Sequence, residues 1–528
     1  MTKKQGAVAA GDHHTAQAAQ TVLAAGGNAF DAALAGIAAS FLAEPVLSSP
    51  GGGGFMMARL GAETGAPKTV LYDFFAQTPL NKTLAEPDQT LDFHPVLADF
   101  GGGNTQEFHV GSAAIATPGM MPGMAAIHHD LCRLPLKDIL APALALAQNG
   151  CPVSPLQADF LQVVAPIMLF SPEARAAFEC LENPGQPLPA GEKARVAGLV
   201  DCLDLFAQEG ERPFREGDPA QDLVALCRSQ GGLLSLEDLK SFTVIRRTPL
   251  RQRVAGMGRV MLNPPPSSGG PLIAFALALM EGQLGEDWAM EGLLRARAMA
   301  ATADARAACA LLDETTEDRV SQLLDPQTVA RFRQDLELDH GRALKVGGTT
   351  HLSVIDGAGN AAAVSLSNGE GCGRMLPCWG YMPNNMLGEE DINPRGWFAW
   401  DPNRRISSMM APTLVEEPDG SLLALGSGGS NRIRSAITQV LRNTCVMGLP
   451  LADAVGAPRL HVEGDLLNIE AGFAENEISV LRSGFNGRVK AWDRSSMFFG
   501  GVHAVRRRPD GSIEAAGDPR RGGATATA

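Results

Sequence analysis

Between residues 15 and 42 apolar positions recur every three to four residues, with one break at Gly26-Gly27, and the spacing predicts helices over 15–25 and 29–42. Asn28 stands where an N-cap belongs, and Asp31 falls in the first turn of the second helix, where the macrodipole favours an anion. The patterns over 55–60 and 69–74 predict strands; those over 119–131, 136–148 and 155–169 predict helices. From about 173 to 341 the chain is mostly charged amphipathic helix, including 288–312 and 318–336, interrupted by the turn Pro264-Pro265-Pro266-Ser267-Ser268-Gly269-Gly270. After Thr349 short strands take over. Segments 351–356 and 361–367 flank Gly357-Ala358-Gly359-Asn360, a hairpin signature, and a strand over 421–425 runs through Gly426-Ser427-Gly428-Gly429 into a helix over about 430–446. A helix-rich part followed by a strand-rich part predicts sheets covered by helices, a layered α/β or α+β architecture.

Composition narrows the function. The 528 residues carry 44 Lys+Arg against 58 Asp+Glu, a formal charge of −14, which opposes the basic face that nucleic-acid binding needs. No stretch approaches the roughly 18 apolar residues of a membrane span, so no membrane partner is expected. Lys3 and Lys4 are not followed by an apolar signal core, which predicts a cytoplasmic protein as written, or a periplasmic or secreted one if a leader was removed. The 9 cysteines (Cys132, Cys151, Cys180, Cys202, Cys227, Cys309, Cys372, Cys378, Cys445) are widely spaced without a CxxC pair, and read as buried reduced thiols. With no HExxH among the 10 histidines, neither a metal site nor a cofactor is expected.

Three glycine-rich places bear on chemistry. Gly51-Gly52-Gly53-Gly54 precedes a strand and lacks a following Gly-Lys-Ser/Thr, so a tight backbone crossing is expected rather than a nucleotide loop. Gly426-Ser427-Gly428-Gly429 lies between a strand and a helix, where free N–H groups can hold a developing oxyanion; a plain turn reads equally well. In Gly347-Gly348-Thr349-Thr350-His351 a glycine precedes a threonine, permitting the bent peptide that hydroxyl attack on the preceding carbonyl requires. An ordinary entry into a strand is the other reading.

Taken in order, these motifs resemble the γ-glutamyltranspeptidase family. The resemblance rests on Gly26-Gly27-Asn28-Ala29-Phe30-Asp31-Ala32-Ala33, Gly51 to Gly54 with Phe55-Met56, the Pro264–Gly270 turn, Thr349-Thr350-His351-Leu352-Ser353-Val354, Asn384-Asn385-Met386, Ser407-Ser408-Met409, Gly428-Gly429 and Gly517-Asp518-Pro519-Arg520. It implies an N-terminal nucleophile hydrolase, a four-layer αββα sandwich made as an inactive precursor. Thr349 would attack the Gly348 carbonyl and split the chain into segments 1–348 and 349–528, which stay interlocked as a heterodimer; further oligomerisation is left open. The freed α-amino group, titrating near ~7.7–8.0 when unperturbed, would serve the Thr349 hydroxyl as base. Thr350 matches the position that supports the nucleophile, and Gly428 and Gly429 match the oxyanion hole, with Ser430 and Asn431 leaving that register open by one residue. The implied reaction moves a γ-glutamyl group from a small amide such as glutathione to water, an amino acid or a peptide.

The substrate positions depart from the family pattern. The paired serines that hold the glutamyl α-carboxylate are present as Ser407 and Ser408, but the arginine that joins them is replaced by Phe75. A phenyl ring cannot supply a bidentate guanidinium–carboxylate pair. On the amino-group side Met386 and Glu389 or Glu390 stand in for a glutamine and an aspartate, while Ser367 and Asn368 fall in the segment corresponding to Thr-Leu-Asn. Glu389 or Glu390 could receive an ammonium; Arg374, Arg404, Arg405 and Arg432 are candidates for a relocated cation. The stretch Arg395-Gly396-Trp397-Phe398-Ala399-Trp400 occupies the place of a lid, its tryptophans either excluding water or packing as core. Two alternatives therefore accompany the glutamyl reading: an amidase like the cephalosporin acylases, which share fold and motif order, and an uncleaved, non-catalytic scaffold.

Overall fold

The structure is a computed structural model of the unsplit chain and describes residues 6–61, 67–84, 88–99, 105–312, 314–334, 336 and 348–528. Its strands, in chain order, are β1 (Ala7–Ala10), β2 (Gly53–Leu60), β3 (Lys68–Phe74), β4 (His94–Asp99), β5 (Thr105–Val110), β6 (Ile245–Arg247), β7 (Leu250–Val254), β8 (Gly258–Leu262), β9 (Thr350–Ile355), β10 (Ala361–Ser367), β11 (Thr413–Glu416), β12 (Leu422–Gly428), β13 (Leu460–Glu463), β14 (Leu466–Ile469), β15 (Arg488–Ala491), β16 (Gly501–Arg507), β17 (Ile513–Ala516) and β18 (Ala524–Thr527). One sheet runs β18-β1-β9-β10-β2-β3-β6 and a second β17-β16-β12-β11-β8-β7; β13-β14-β15 and the hairpin β4-β5 lie apart.

Side chains alternate across each strand, which fixes what lies between the layers. From β9, Leu352 and Val354 join the apolar layer beneath the helices His13–Ala24 and Ala29–Ala43. Ile355, together with Ala7 and Ala9 of β1, packs instead against Ala424 and Ala504 of the second sheet. The outer face of that second sheet is covered by Gly269–Leu279 and Arg432–Leu441. The result is the expected order of helix, sheet, sheet, helix. Both sheets mix strands from before and after residue 348, and β1 is hydrogen-bonded to β18 on one side and β9 on the other.

The caps explain why the helices start where they do. Asn28 Oδ1 accepts from the N–H groups of Phe30 (2.8 Å) and Asp31 (2.9 Å), and the Asp31 carboxylate accepts from Asn28 N–H (2.7 Å), a complete capping box. Prolines correct two other expectations. Segment 155–169 is two helices, Pro155–Val163 and Ala165–Met168, because Pro166 lacks an N–H; 318–336 is broken into Glu317–Leu323 and Pro326–Gln334 at Pro326, and residue 335 lies outside the described residues. The strand expected over 421–425 continues as Leu422–Gly428, so Gly426-Ser427-Gly428 is sheet, not turn. Gly53 and Gly54 likewise belong to β2, where a Cβ on Gly54 would lie 2.5 Å from the Ser365 carbonyl, the close backbone crossing expected of that run. None of the cysteines is in a disulfide; Cys378 is exposed, and Cys132 and Cys445 are partly so, contrary to the expectation of burial.

Candidate active site

Thr349 immediately precedes β9, an inner strand of its sheet, and lines a cleft of about 180 Å³. It is 6% exposed, and the Gly348–Thr349 peptide enters the same cleft together with Ser367, the last residue of β10. Ser367 Oγ donates to the Gly348 carbonyl oxygen at 2.8 Å and accepts from Gly369 N–H at 3.1 Å. The carbonyl that precedes Thr349 is thus polarised and held in place. Gly348 N–H in turn donates to Glu370 Oε1. Gly347 lies outside the described residues.

The glycines of β12 meet this peptide from the second sheet. Gly426 and Gly428 are two residues apart and face the first sheet. A Cβ on Gly426 would lie 2.3 Å from the His351 ring, and one on Gly428 would lie 2.0 Å from the Thr349 carbonyl oxygen. Gly428 thus meets the demand of close backbone approach, and Gly426 leaves room for the His351 ring. Gly429 has φ of 113° and turns the chain toward Arg432–Leu441. Neither Gly428 nor Gly429 borders the cleft; both lie behind Thr349, beside Arg521, whose Nη1 donates to Thr349 O at 3.4 Å.

Thr350 points to the opposite side of the sheet. Its Oγ1 donates to Glu44, which also accepts from Thr15 Oγ1 at 2.8 Å. Glu44 is buried and its carboxyl is pushed up to about 7, first by desolvation and then by Asp12. His351 is turned between the sheets, with Nδ1 2.9 Å from Ser365 Oγ and Nε2 2.9 Å from Ser353 Oγ, and burial holds it well below the usual histidine range. Among the described residues that border the cleft there is no histidine, lysine or cysteine. No side chain there resembles the base of a serine- or cysteine-type site.

Of the sequence-derived substrate residues, Ser367, Ser407, Ser408 and Glu389 border the cleft with Thr349. Ser408 Oγ accepts from Met410 N–H at 3.0 Å. Glu389 is driven far above the usual carboxylate range by burial, with Glu370 and Asp391 adding to the effect; Glu370 is itself raised, chiefly by burial. Glu390 is exposed and outside the cleft. Asn368 is buried behind it, its Nδ2 donating to Met382 O at 3.2 Å. The tryptophans of the lid stretch divide. Trp400 borders the cleft, whereas Trp397 packs on His109 (4.4 Å) and Phe93 (5.5 Å).

Phe75 borders the cleft where the family arginine was expected, stacked on Phe55 at 5.4 Å. The four candidate arginines are engaged elsewhere. Arg374 forks onto Asp92 (2.6 and 2.8 Å), and Arg432 donates to Phe498 O (3.0 Å); neither reaches the cleft. Arg404 is at the rim, paired with Glu314 at 2.8 Å, and Arg405 donates to the carbonyls of Phe75 and Thr243. Sequence reasoning missed Glu370, Asp391 and Arg306. Glu370 follows directly on Ser367-Asn368-Gly369 and was open to notice from its place in that loop. Arg306, in the last turn of Trp288–Ala308, carries no local motif.

The sequence profile of the gamma-glutamyltranspeptidase family matches residues 15–528. A glutathione hydrolase proenzyme of Escherichia coli (strain K12) is 30% identical over 98% of this chain and 90% of its own length. An acylase ACY 1 proenzyme of Pseudomonas sp. (strain V22) is 29% identical, covering 96% and 90%. Among solved structures, a cephalosporin acylase from Bacillus halodurans has the same fold, with a TM-score of 0.82 at 24% identity over 99% of this chain and 96% of that one.

Proposed function

The chain belongs to the gamma-glutamyltranspeptidase family, and from that premise we propose that it is a self-cleaving acyltransferase and hydrolase that opens γ-glutamyl amides such as glutathione with Thr349. The observation that carries this reading is the Gly348–Thr349 peptide itself, bordering a cleft whose described lining offers no other amine or imidazole. In the first stage Thr349 Oγ attacks the Gly348 carbonyl carbon, whose oxygen Ser367 already holds. The C–N bond breaks, the hydroxyl proton ends on the departing nitrogen, and an ester links Gly348 to Thr349. Water hydrolyses that ester and leaves segments 1–348 and 349–528. The new amine then accepts the Oγ proton during attack on a substrate amide. The substrate amine departs, and the Thr349 ester passes its acyl group to water or to an amino acid or peptide. The proenzyme names of the relatives support this order of events.

Intact-mass measurement tests it. Wild-type protein resolves into two pieces that meet at the 348/349 bond. Thr349→Ala remains one piece and loses at least on the order of 10⁴-fold in kcat/KM. An uncut wild-type chain that turns over substrate overturns the proposal.

Phe75 favours a second reading, an acylase acting on a non-glutamyl acyl group. A related chain carries the name acylase, and the ring stands where the resemblance places the arginine that grips the α-carboxylate.

A further inference from the structure

Arg306 reaches the cleft from the C-terminal turn of Trp288–Ala308, a position where the helix dipole favours a cation. It is 6% exposed, and its Nε has no hydrogen-bond partner. Among the described residues no carboxylate forms an ion pair with it. Every other arginine bordering the cleft has a partner: Arg395 on Asp401 at 3.1 Å, Arg404 on Glu314, and Arg405 on backbone carbonyls and, at 3.5 Å, on Asp73. Burial and the neighbouring Arg434 lower the Arg306 guanidinium to about 10, with Asp391 offsetting part of that, so it remains charged at neutral pH.

A buried, charged fork with unmet donors is costly unless an anion completes it. Phe75, Leu311 and Met386 line the same cleft, and apolar lining weakens screening and makes an incoming carboxylate more valuable. Thr349 borders the same cleft, so one ligand can present a reacting amide to Thr349 and an anion to Arg306.

We infer that Arg306 is the specificity-determining cation of this cleft, receiving a carboxylate at the far end of the acyl chain, so that the substrates are amides of ω-carboxyacyl groups, glutaryl as well as γ-glutamyl. The inference rests on the reading of Thr349 as nucleophile for its kinetic consequence, but not for binding. It places the carboxylate handle on a helix end distant in sequence from Phe75. It supplies an unpaired cation to a cleft that has a phenyl ring at the family arginine's place. Burial, with Glu370 and Asp391 beside it, disfavours the charged form of Glu389 and so weakens its hold on an α-ammonium, which suits an acyl group lacking one.

The test compares wild type, Arg306→Met and Arg306→Lys on glutaryl-, γ-glutamyl- and pentanoyl-p-nitroanilide, with intact mass recording self-cleavage and calorimetry recording binding of free glutarate and pentanoate. Wild type is expected to prefer glutaryl over pentanoyl by at least 100-fold in kcat/KM. Arg306→Met abolishes that preference, with pentanoyl turnover within threefold and cleavage intact; Arg306→Lys, which keeps charge but not the fork, retains about a tenth of it. Glutarate binding falls in parallel. An unchanged glutaryl-to-pentanoyl ratio, or an equal loss on all three substrates, overturns the inference. Should Arg306→Met fail to fold, the Lys variant decides on the same ratio. Should the protein neither cut itself nor turn over substrate, the nucleophile reading falls, and Arg306-dependent glutarate binding still decides this one.

Discussion

The part of the cleft that carries the Gly348–Thr349 peptide is made by strand ends, with Thr349 leading into β9 and Ser367 closing β10, while Gly428 of β12 presses from behind. The part that carries Arg306, Glu389 and Trp400 comes from a helix end and an irregular stretch far from it in sequence. The first is small and fixed by sheet register, its backbone atoms taken up by Ser367, Glu370 and Arg521; the second holds a buried arginine that is incompletely paired. Register sets atomic positions at little energetic cost, which suits a reaction that must occur within one chain. Uncompensated charge destabilises the folded protein and is worth keeping only where a ligand completes it. The difference separates a part built to react from a part built to choose.

Three substitutions sharpen or break that division. The largest effect is expected at Gly428→Ala, where the new methyl would overlap the Thr349 carbonyl oxygen and the two sheets would have to separate. Self-cleavage, followed by intact mass over time, slows by at least on the order of 100-fold, with a loss of about 3 kcal/mol in stability. Cleavage at the wild-type rate would mean that register does not position this peptide. A smaller effect is expected at Ser408→Ala, which removes a hydroxyl from the choosing part. KM for glutaryl-p-nitroanilide rises about tenfold, as for one hydrogen bond to a charged group, with kcat within twofold. A collapse in kcat instead would merge the two parts into one.

The smallest effect on activity belongs to Glu44→Gln, since Glu44 sits behind the sheet, on the side of Thr350 away from the cleft. Its consequence is a pH dependence of stability. The folded carboxyl at about 7 lies above its ordinary value of 4.5, so the folded state takes up the proton. The associated stability is full below about pH 4.5 and is lost as pH rises through 7, by up to about 3 kcal/mol. Thermal melts from pH 5 to 8 should therefore show Glu44→Gln gaining on wild type as pH rises. A gap that stays flat with pH contradicts the assigned burial of charge.

Much of the fold was legible because its signals are local. The capping box at Asn28 and Asp31, the hairpin of β9 and β10 and the small-residue helix 29–43 each follow from a few adjacent residues. The misplaced boundaries came from Pro166 and Pro326, whose effect is local too, and from treating Gly426 and Gly428 as a turn. Only the approach of a second sheet, a tertiary fact, shows why those two positions lack side chains inside a strand. The pairing of β18 with β1 joins residues too far apart for any window of sequence. The same reason hid Arg306. Its meaning lies in the partners it lacks, and a missing partner is visible only once every neighbour has been placed.

Strand β1 lies between two strands that follow residue 348, β18 and β9. If the 348/349 bond is cut, that strand is held on both sides by strands of the other chain, and separating the chains is the same event as melting the protein. Unfolding of the cut form would then release two molecules instead of one, so its midpoint falls on dilution while that of the precursor does not. Renaturation likewise changes from a search within one chain to a collision between two, and the cut that liberates the threonine also commits the protein to the single fold in which it was made.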